Sequence, residues 1–331
     1  ITDPVKYAAA FPANRLIQDD EWFNTASVSI GCLGVVYSII IDTVPKYWLK
    51  EERYMSDWVT VKAQLQQGDI LRDNRHVEVL VNPYSTLPDN NHKCLVTIRN
   101  ISPPPVGIPK EKGHRNFFTE LLGDLIGIFP DIENIMVYVF NTFYSRIPIF
   151  IDEAMKGLVD DGYTDISYKV LNLGSANNVR AFSSEIGFPM CDNTYIAAVE
   201  GILDMVARMR SLGQVYLSAP FSLRFVRKTD AYLAMMQGSD TCMIEMPMLS
   251  GTFGAYETLR RYQDEMFRFS GRPHWGQVNN LSGANGFIGT LYPKLDQWMA
   301  VYRQLNTRGT FDNAFTDRVG FSAFTFNRAC R

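Results

Sequence analysis

The chain has 331 residues, 46% of them hydrophobic and 20% charged, with 21 Phe, 16 Tyr and 5 Trp in mixed order. That length and composition suit about two globular domains and exclude collagen, coiled coil and disorder. Its 32 basic and 35 acidic residues leave a net charge of −3, and the basic residues are dispersed, which excludes nucleic acid as a partner because a phosphate backbone demands a concentrated basic face.

In chain order, the first strong signal is the apolar run 28–41, which ends at Asp42. It is shorter than the roughly 20 residues a membrane helix needs, so it predicts no membrane span and reads as a buried strand entered through a turn at Gly31 and Gly34. Val77, Val79 and Val81 alternate across 76–82, and 94–99 repeats the pattern after a Pro/Asp/Asn-rich loop, which predicts an antiparallel pair. A Pro/Gly/Lys-rich loop at 103–112 precedes helical spacing over 115–160, with Phe118, Leu121, Leu122 and Leu125 three and four apart. Val199, Leu203, Val206 and Met209 form one stripe of a helix over 193–212, with Asp192 or Asn193 as N-cap and Gly213 as stop. Strands follow at 215–227 and 242–249, then helices near 255–268 and 294–305, the last ending at the turn Thr307-Arg308-Gly309. Antiparallel strand pairs followed by helices define an α+β fold.

Common catalytic signatures are missing. No GxxxxGK[ST], GxGxxG, HExxH or GxSxG occurs, and none of the four His has a carboxylate or Cys at metal-ligand spacing. Cys32, Cys94, Cys191, Cys242 and Cys330 form no CxxC pair and read as small buried thiols. The first residue is Ile, with no leader pattern behind it, so the start reads as a processing site or a truncation.

Residues 270–313 contain Gly271-Arg272-Pro273-His274-Trp275, then Tyr292-Pro293, then Gly309, Phe311 and Asn313. This order resembles the C-terminal signature of the aldonolactone and alditol oxidases of the vanillyl-alcohol-oxidase flavoprotein superfamily. Residues 22–43 resemble the segment that closes that family's flavin domain, and 76–84 its cap-domain strand ending in a Pro-aromatic pair. Glu185, Phe188 and Pro189 resemble its E-x-x-x-P entry to a helix, and 219–234 its x-E-x-R-F strand. The resemblance implies an antiparallel-sheet cap domain at 46–265, flanked by the end of an FAD domain at 1–45 and a C-terminal return to the flavin at 266–331. It also implies an upstream FAD-domain chain or segment as partner.

The same resemblance implies FAD as cofactor, a small-molecule alcohol of sugar, polyol or lactone type as substrate, and hydride transfer from a carbinol carbon to flavin N5. Gly31, Gly34, Val35, Trp275, Gly276, Asn280 and Asn313 are then expected at the cofactor, and Glu185 and Asn279 at the substrate. Arg224 is expected to stabilise developing negative charge, since a guanidinium stays protonated and offers a fixed fork of donors. His274 is a base or flavin contact, the base coming otherwise from Glu185 or from outside the chain. Ser222 replaces the acid of the family's E-x-R pair and Gln277 the Lys after His-Trp-small, so two charges are expected to be missing. That loss leaves open a bulkier, apolar alcohol such as a sterol, or a subunit that binds without catalysing.

Overall fold

A computed structural model describes residues 3–107, 132–172, 180–213 and 216–322. The stripe Phe118, Leu121, Leu122 and Leu125 therefore lies outside the described residues, as does Cys330. The chain divides into two compact units. One comprises 1–39, 229–238 and 281–331, the other 40–228 and 239–280.

The second unit is built on an eight-stranded sheet. Its strands are β1 (Trp48–Asp57), β2 (His76–Thr86), β3 (Asn91–Ser102), β4 (Asp160–Ile166), β5 (Ala181–Pro189), β6 (Phe221–Val226), β7 (Thr241–Leu249) and β8 (Arg272–Pro273). They lie in the order β4-β1-β3-β2-β6-β7-β5-β8 with antiparallel pairing throughout. The expected hairpin is the β2–β3 pair, Val79 facing Val96.

Because side chains alternate along a strand and directly paired residues share a face, the register sorts this sheet into two surfaces. Val77, Val79, Val81, Val96, Leu223, Ile244 and Ile186 point to the first and are buried in one apolar cluster. Helices Thr194–Ser211, Ala255–Phe267 and Ile147–Gly157 close that face through Val199, Ile202, Val206, Leu259, Tyr262 and Ile151. Each such aliphatic side chain contributes about 1.5–3 kcal/mol on burial. The helix expected at 193–212 matches its sequence cues. Asp192 Oδ1 accepts from the Thr194 amide at 3.0 Å, and Gly213 ends it in the left-handed region at φ 62°.

The opposite surface is charged. Arg99 Nε donates to Glu51 Oε2 at 2.6 Å and its Nη2 to Glu78 Oε2 at 3.2 Å, and Arg53 Nε lies 3.2 Å from Glu51 Oε1. Glu51, Arg53 and Arg99 are all buried, so each charge is held by an opposite one. Acidic and basic groups thus alternate across β1, β3 and β2.

The first unit carries helices Asp20–Ala26 and Leu295–Leu305. Trp298 is fully buried, stacks on Tyr302 with centroids 5.4 Å apart, and donates from Nε1 to the Val28 carbonyl at 2.9 Å. Residues 23–26, ahead of the turn at Gly31 and Gly34, are the end of a helix capped by Asp19. Here the structure corrects one expectation. The run 35–41 forms no strand, and Val35, Val36, Ile39, Ile40 and Ile41 are all exposed, not buried. β-branched residues prefer extended backbone, but a strand exists only where a neighbour completes its ladder, and no described residue does so here. Gly31 and Gly34 do take positive φ, 73° and 141°, as a turn requires. Among the described residues no helix is long and apolar enough to cross a membrane.

Candidate functional site

The charged surface converges on Arg224. β6 pairs with β7 through Ser222 and Glu245 and through Arg224 and Met243, while β7 pairs with β5 through Glu245 and Glu185. Ser222, Arg224, Glu245 and Glu185 therefore share the polar face, beside Glu78, the cross-strand neighbour of Arg224 on β2. Arg224 Nη2 donates to Glu185 Oε1 at 2.8 Å and also to Glu245 Oε2. Glu245 Oε1 further accepts from Ser183 Oγ at 2.6 Å and from Gln277 Nε2 at 3.3 Å.

A local device brings Gln277 there. Helix Ala255–Phe267 ends at a tight turn, and Gly271 then lets the chain lie against β5. A Cβ at Gly271 would stand 2.5 Å from Ile186 Cγ2 and 2.6 Å from the Phe188 ring, so only glycine permits the approach. β8 pairs with β5, and the chain continues alongside it, the His274 amide donating to the Glu185 carbonyl at 2.8 Å and the Val278 amide to the Ser183 carbonyl at 3.0 Å. Gln263, fully buried on the helix, bolts this segment down. It donates to Ser184 Oγ at 3.0 Å and to the Val278 carbonyl at 2.7 Å, and accepts from the Asn280 amide.

The electrostatics follow from two carboxylates meeting one guanidinium. Burial raises the pKa of Glu185, the nearby Glu245 charge raises it further, and Arg224 pulls the other way without cancelling them. Burial alone would lower the pKa of Arg224, but Glu245, Glu185 and Glu78 outweigh it and hold the guanidinium charged.

The other expected site residues separate by unit. Arg224, Ser222, Gln277, Glu185, His274, Trp275, Gly276, Asn279 and Asn280 belong to the second unit, whereas Gly31, Gly34, Val35 and Asn313 belong to the first. Asn313 caps helix Ala314–Arg318 in a reciprocal box with Thr316. Asn279 Nδ2 is spent on the carbonyls of His274, Trp275 and Gln277 at 3.4, 3.2 and 3.0 Å, and Asn280 Nδ2 reaches the Arg260 carbonyl at 3.4 Å. Glu185 and Pro189 lie on β5, ahead of the helix they were expected to enter. The Gly276 amide donates to His274 Nδ1 at 3.1 Å. An imidazole that accepts at Nδ1 carries its ring proton on Nε2, which leaves Nε2 as a donor.

The acid absent at Ser222 has a neighbour of the same kind, because Glu245 stands directly across from Ser222. Sequence reading missed Glu245, Ser183 and Gln263. Glu245 is the one charge in the apolar run Cys242-Met243-Ile244-Glu245-Met246, and its odd-numbered place among alternating core residues was the available signal.

The antiparallel sheet thus has one face closed by helices and the other lined by charges around an arginine, in a chain that resembles vanillyl-alcohol-oxidase-type flavoproteins. The chain belongs to the D-arabinono-1,4-lactone oxidase family, whose model matches residues 39–319, a family of FAD-dependent flavoproteins. It is 25% identical over 312 residues to L-gulono-1,4-lactone dehydrogenase of Mycobacterium tuberculosis, covering 92% of this chain and 64% of that protein. Against L-gulonolactone oxidase of Bos taurus it is 23% identical over 317 residues, covering 90% and 63%. The chain thus spans a little under two thirds of these relatives. A crystal structure of cholesterol oxidase from B. sterolicum superposes with a TM-score of 0.58 at 13% identity, covering 83% of this chain and 60% of that one, a likeness of fold.

The site's own atoms fit a flavin. Arg224 Nε and Gln277 Oε1 are buried and bond to no described group. They offer one donor and one acceptor, the complement of a flavin ring edge that presents both carbonyl acceptors and an N–H.

Proposed function

We propose that this chain forms the substrate side of an FAD-dependent oxidoreductase that oxidises an alcohol group of a sugar-derived, polyol or lactone substrate. The observation that carries the reading is the cluster of Arg224, Glu185, Glu245 and Gln277 on the polar face. Family membership and the names of the relatives support the substrate class.

Bound FAD supplies the acceptor for the hydride of the carbinol carbon, at its N5. The chain's residues do the rest. Arg224 holds a substrate oxygen and stabilises the negative charge that develops as its proton leaves. Glu185, a carboxylate with a raised pKa in reach of the same guanidinium, accepts that proton. The Nε2–H of His274 orients a neighbouring hydroxyl, Gln277 Oε1 is left for the flavin's N–H, and the Gly276 turn keeps the His274 ring in place. Trp275, Gly276 and Asn280 contribute to the flavin's surroundings.

The domain reading is that 1–45 ends an FAD-binding domain, 46–265 is the cap and 266–331 returns to the flavin. A further FAD-binding segment or chain covers the exposed apolar run. Support comes from Val35, Val36, Ile39, Ile40, Ile41 and Val44, all well exposed, since a contiguous apolar stretch of this size marks a contact surface. Anaerobic mixing of the native holoprotein with an alditol, an aldonolactone and a sterol, followed by flavin absorbance, tests the activity. Bleaching by the first two supports the reading; bleaching by none overturns it. Denaturing electrophoresis with sequencing of the same material tests the partner, and a monomeric chain starting at Ile1 that retains FAD overturns that part.

A further inference from the structure

The hydrogen bonds around Arg224 are unequal. Its Nη2 carries both carboxylate contacts, to Glu185 and to Glu245, while Nε is buried with no described partner. Of the two acids, Glu245 is the fixed one. It accepts from Arg224 on β6, Ser183 on β5 and Gln277 in the loop after β8, three segments meeting on one carboxylate. Glu185 has only the Arg224 contact among the side-chain bonds of the described residues. Three donors from three segments hold this carboxylate still.

Register explains how Glu245 comes to do this. Leu80, Ser222, Glu245 and Glu185 form one row across β2, β6, β7 and β5, and Glu78, Arg224, Met243 and Gly187 form the next. A carboxylate at 222 would sit two residues from Arg224 on the same strand and face. Glu245, beside 222 in the same row, reaches Arg224 diagonally, a separation within the span of two long side chains.

We propose that Glu245 is the positioning residue of this site: it draws Nη2 of Arg224 against the sheet so that the rest of the guanidinium points at the ligand, filling from β7 the place of the acid absent at Ser222. The inference rests on the functional reading for what the ligand is, but not for the geometry it assigns.

The test compares, in the holoprotein, wild type, Glu245→Gln, Glu245→Asp and the relocation variant Glu245→Gln/Ser222→Glu. Two measurements are made on each. The first is the arginine 15Nε–1Hε spectrum, with the Arg224 signal assigned by Arg224→Lys; the second is kcat and KM for the alcohol that reduces the flavin. Glu245→Gln is expected to shift or broaden the Arg224 signal and to lower kcat by about 10-fold to 100-fold with a smaller change in KM, the cost of misplacing one oriented group. Glu245→Asp, which keeps the charge and guards against a folding failure, should fall between. The relocation variant should regain both the signal and at least about tenfold of the lost kcat. An unchanged Arg224 signal in both Glu245 single variants overturns the proposal, as does a relocation variant that melts like wild type yet regains neither measure. An Arg224 signal that is lost and regained as described, in a protein whose flavin no alcohol bleaches, supports the proposal and removes the functional reading instead.

Discussion

Glu245 and Ser222 stand directly opposite one another on neighbouring strands, and Glu245 reaches past Ser222's row to hold Arg224. Under the proposed function, two carboxylates on one guanidinium favour a ligand bearing several hydroxyls over an apolar alcohol.

Arg224→Met is expected to slow flavin reduction by roughly 100-fold or more, the usual effect of deleting one preorganised charge contact. Stability should fall by only about 1–2 kcal/mol, because the Arg224 side chain is 39% exposed and solvent screens such pairs. Stopped-flow reduction beside urea unfolding checks both, and equal losses in the two would make Arg224 a structural residue.

Glu185 sets the expected pH dependence. Its pKa is raised above the ordinary value of 4.5, by burial first and then by Glu245. The native state therefore keeps the proton to a higher pH than the unfolded chain. In the window between 4.5 and the raised value the unfolded chain binds fewer protons, so this group's contribution to stability declines as pH rises. As proton acceptor Glu185 works only when ionised, so flavin reduction should slow about tenfold per pH unit below its raised pKa. Glu185→Gln should remove both dependences. Persistence of the acid limb in that variant would assign the base elsewhere.

His274→Gln tests the donor role. With Nδ1 occupied by the Gly276 amide at 3.1 Å, the neutral ring has no free lone pair for a substrate proton. The variant should weaken substrate binding while the acid limb of the reduction rate stays where it is in wild type. A flattened limb would instead make His274 the base.

Gly271→Ala probes the device that delivers Gln277. The added methyl would meet Ile186 and Phe188 at 2.5 and 2.6 Å, and relieving such overlap in a packed core costs about 1–3 kcal/mol. Urea midpoints measure the loss. The same variant should reduce turnover, because the displaced segment carries both His274 and Gln277.

Much of the scaffold was legible along the chain. The alternation of Val77, Val79 and Val81, the stripe through Val199, Leu203 and Val206, and the stop at Gly213 are local signals, and each appears where the spacing puts it. Arg224 and Gln277 were expected at the site by resemblance, and the structure brings both side chains to the Glu245 carboxylate. That carboxylate was not legible. Which residue faces which across three strands depends on register, set by turns and core packing far from the site, and no window around Glu245 contains it. The run 35–41 failed for a related reason: its residues state a preference for extended backbone, while pairing is decided by whatever lies alongside.

The separation of the sheet into an aliphatic and a charged surface has a consequence for how such proteins diverge. Odd and even positions of the same strands answer to different demands, so changes at 183, 185, 222, 224 and 245 can alter chemistry while 184, 186, 223 and 244 go on filling the core. An acid can then migrate sideways from strand to strand without disturbing the fold.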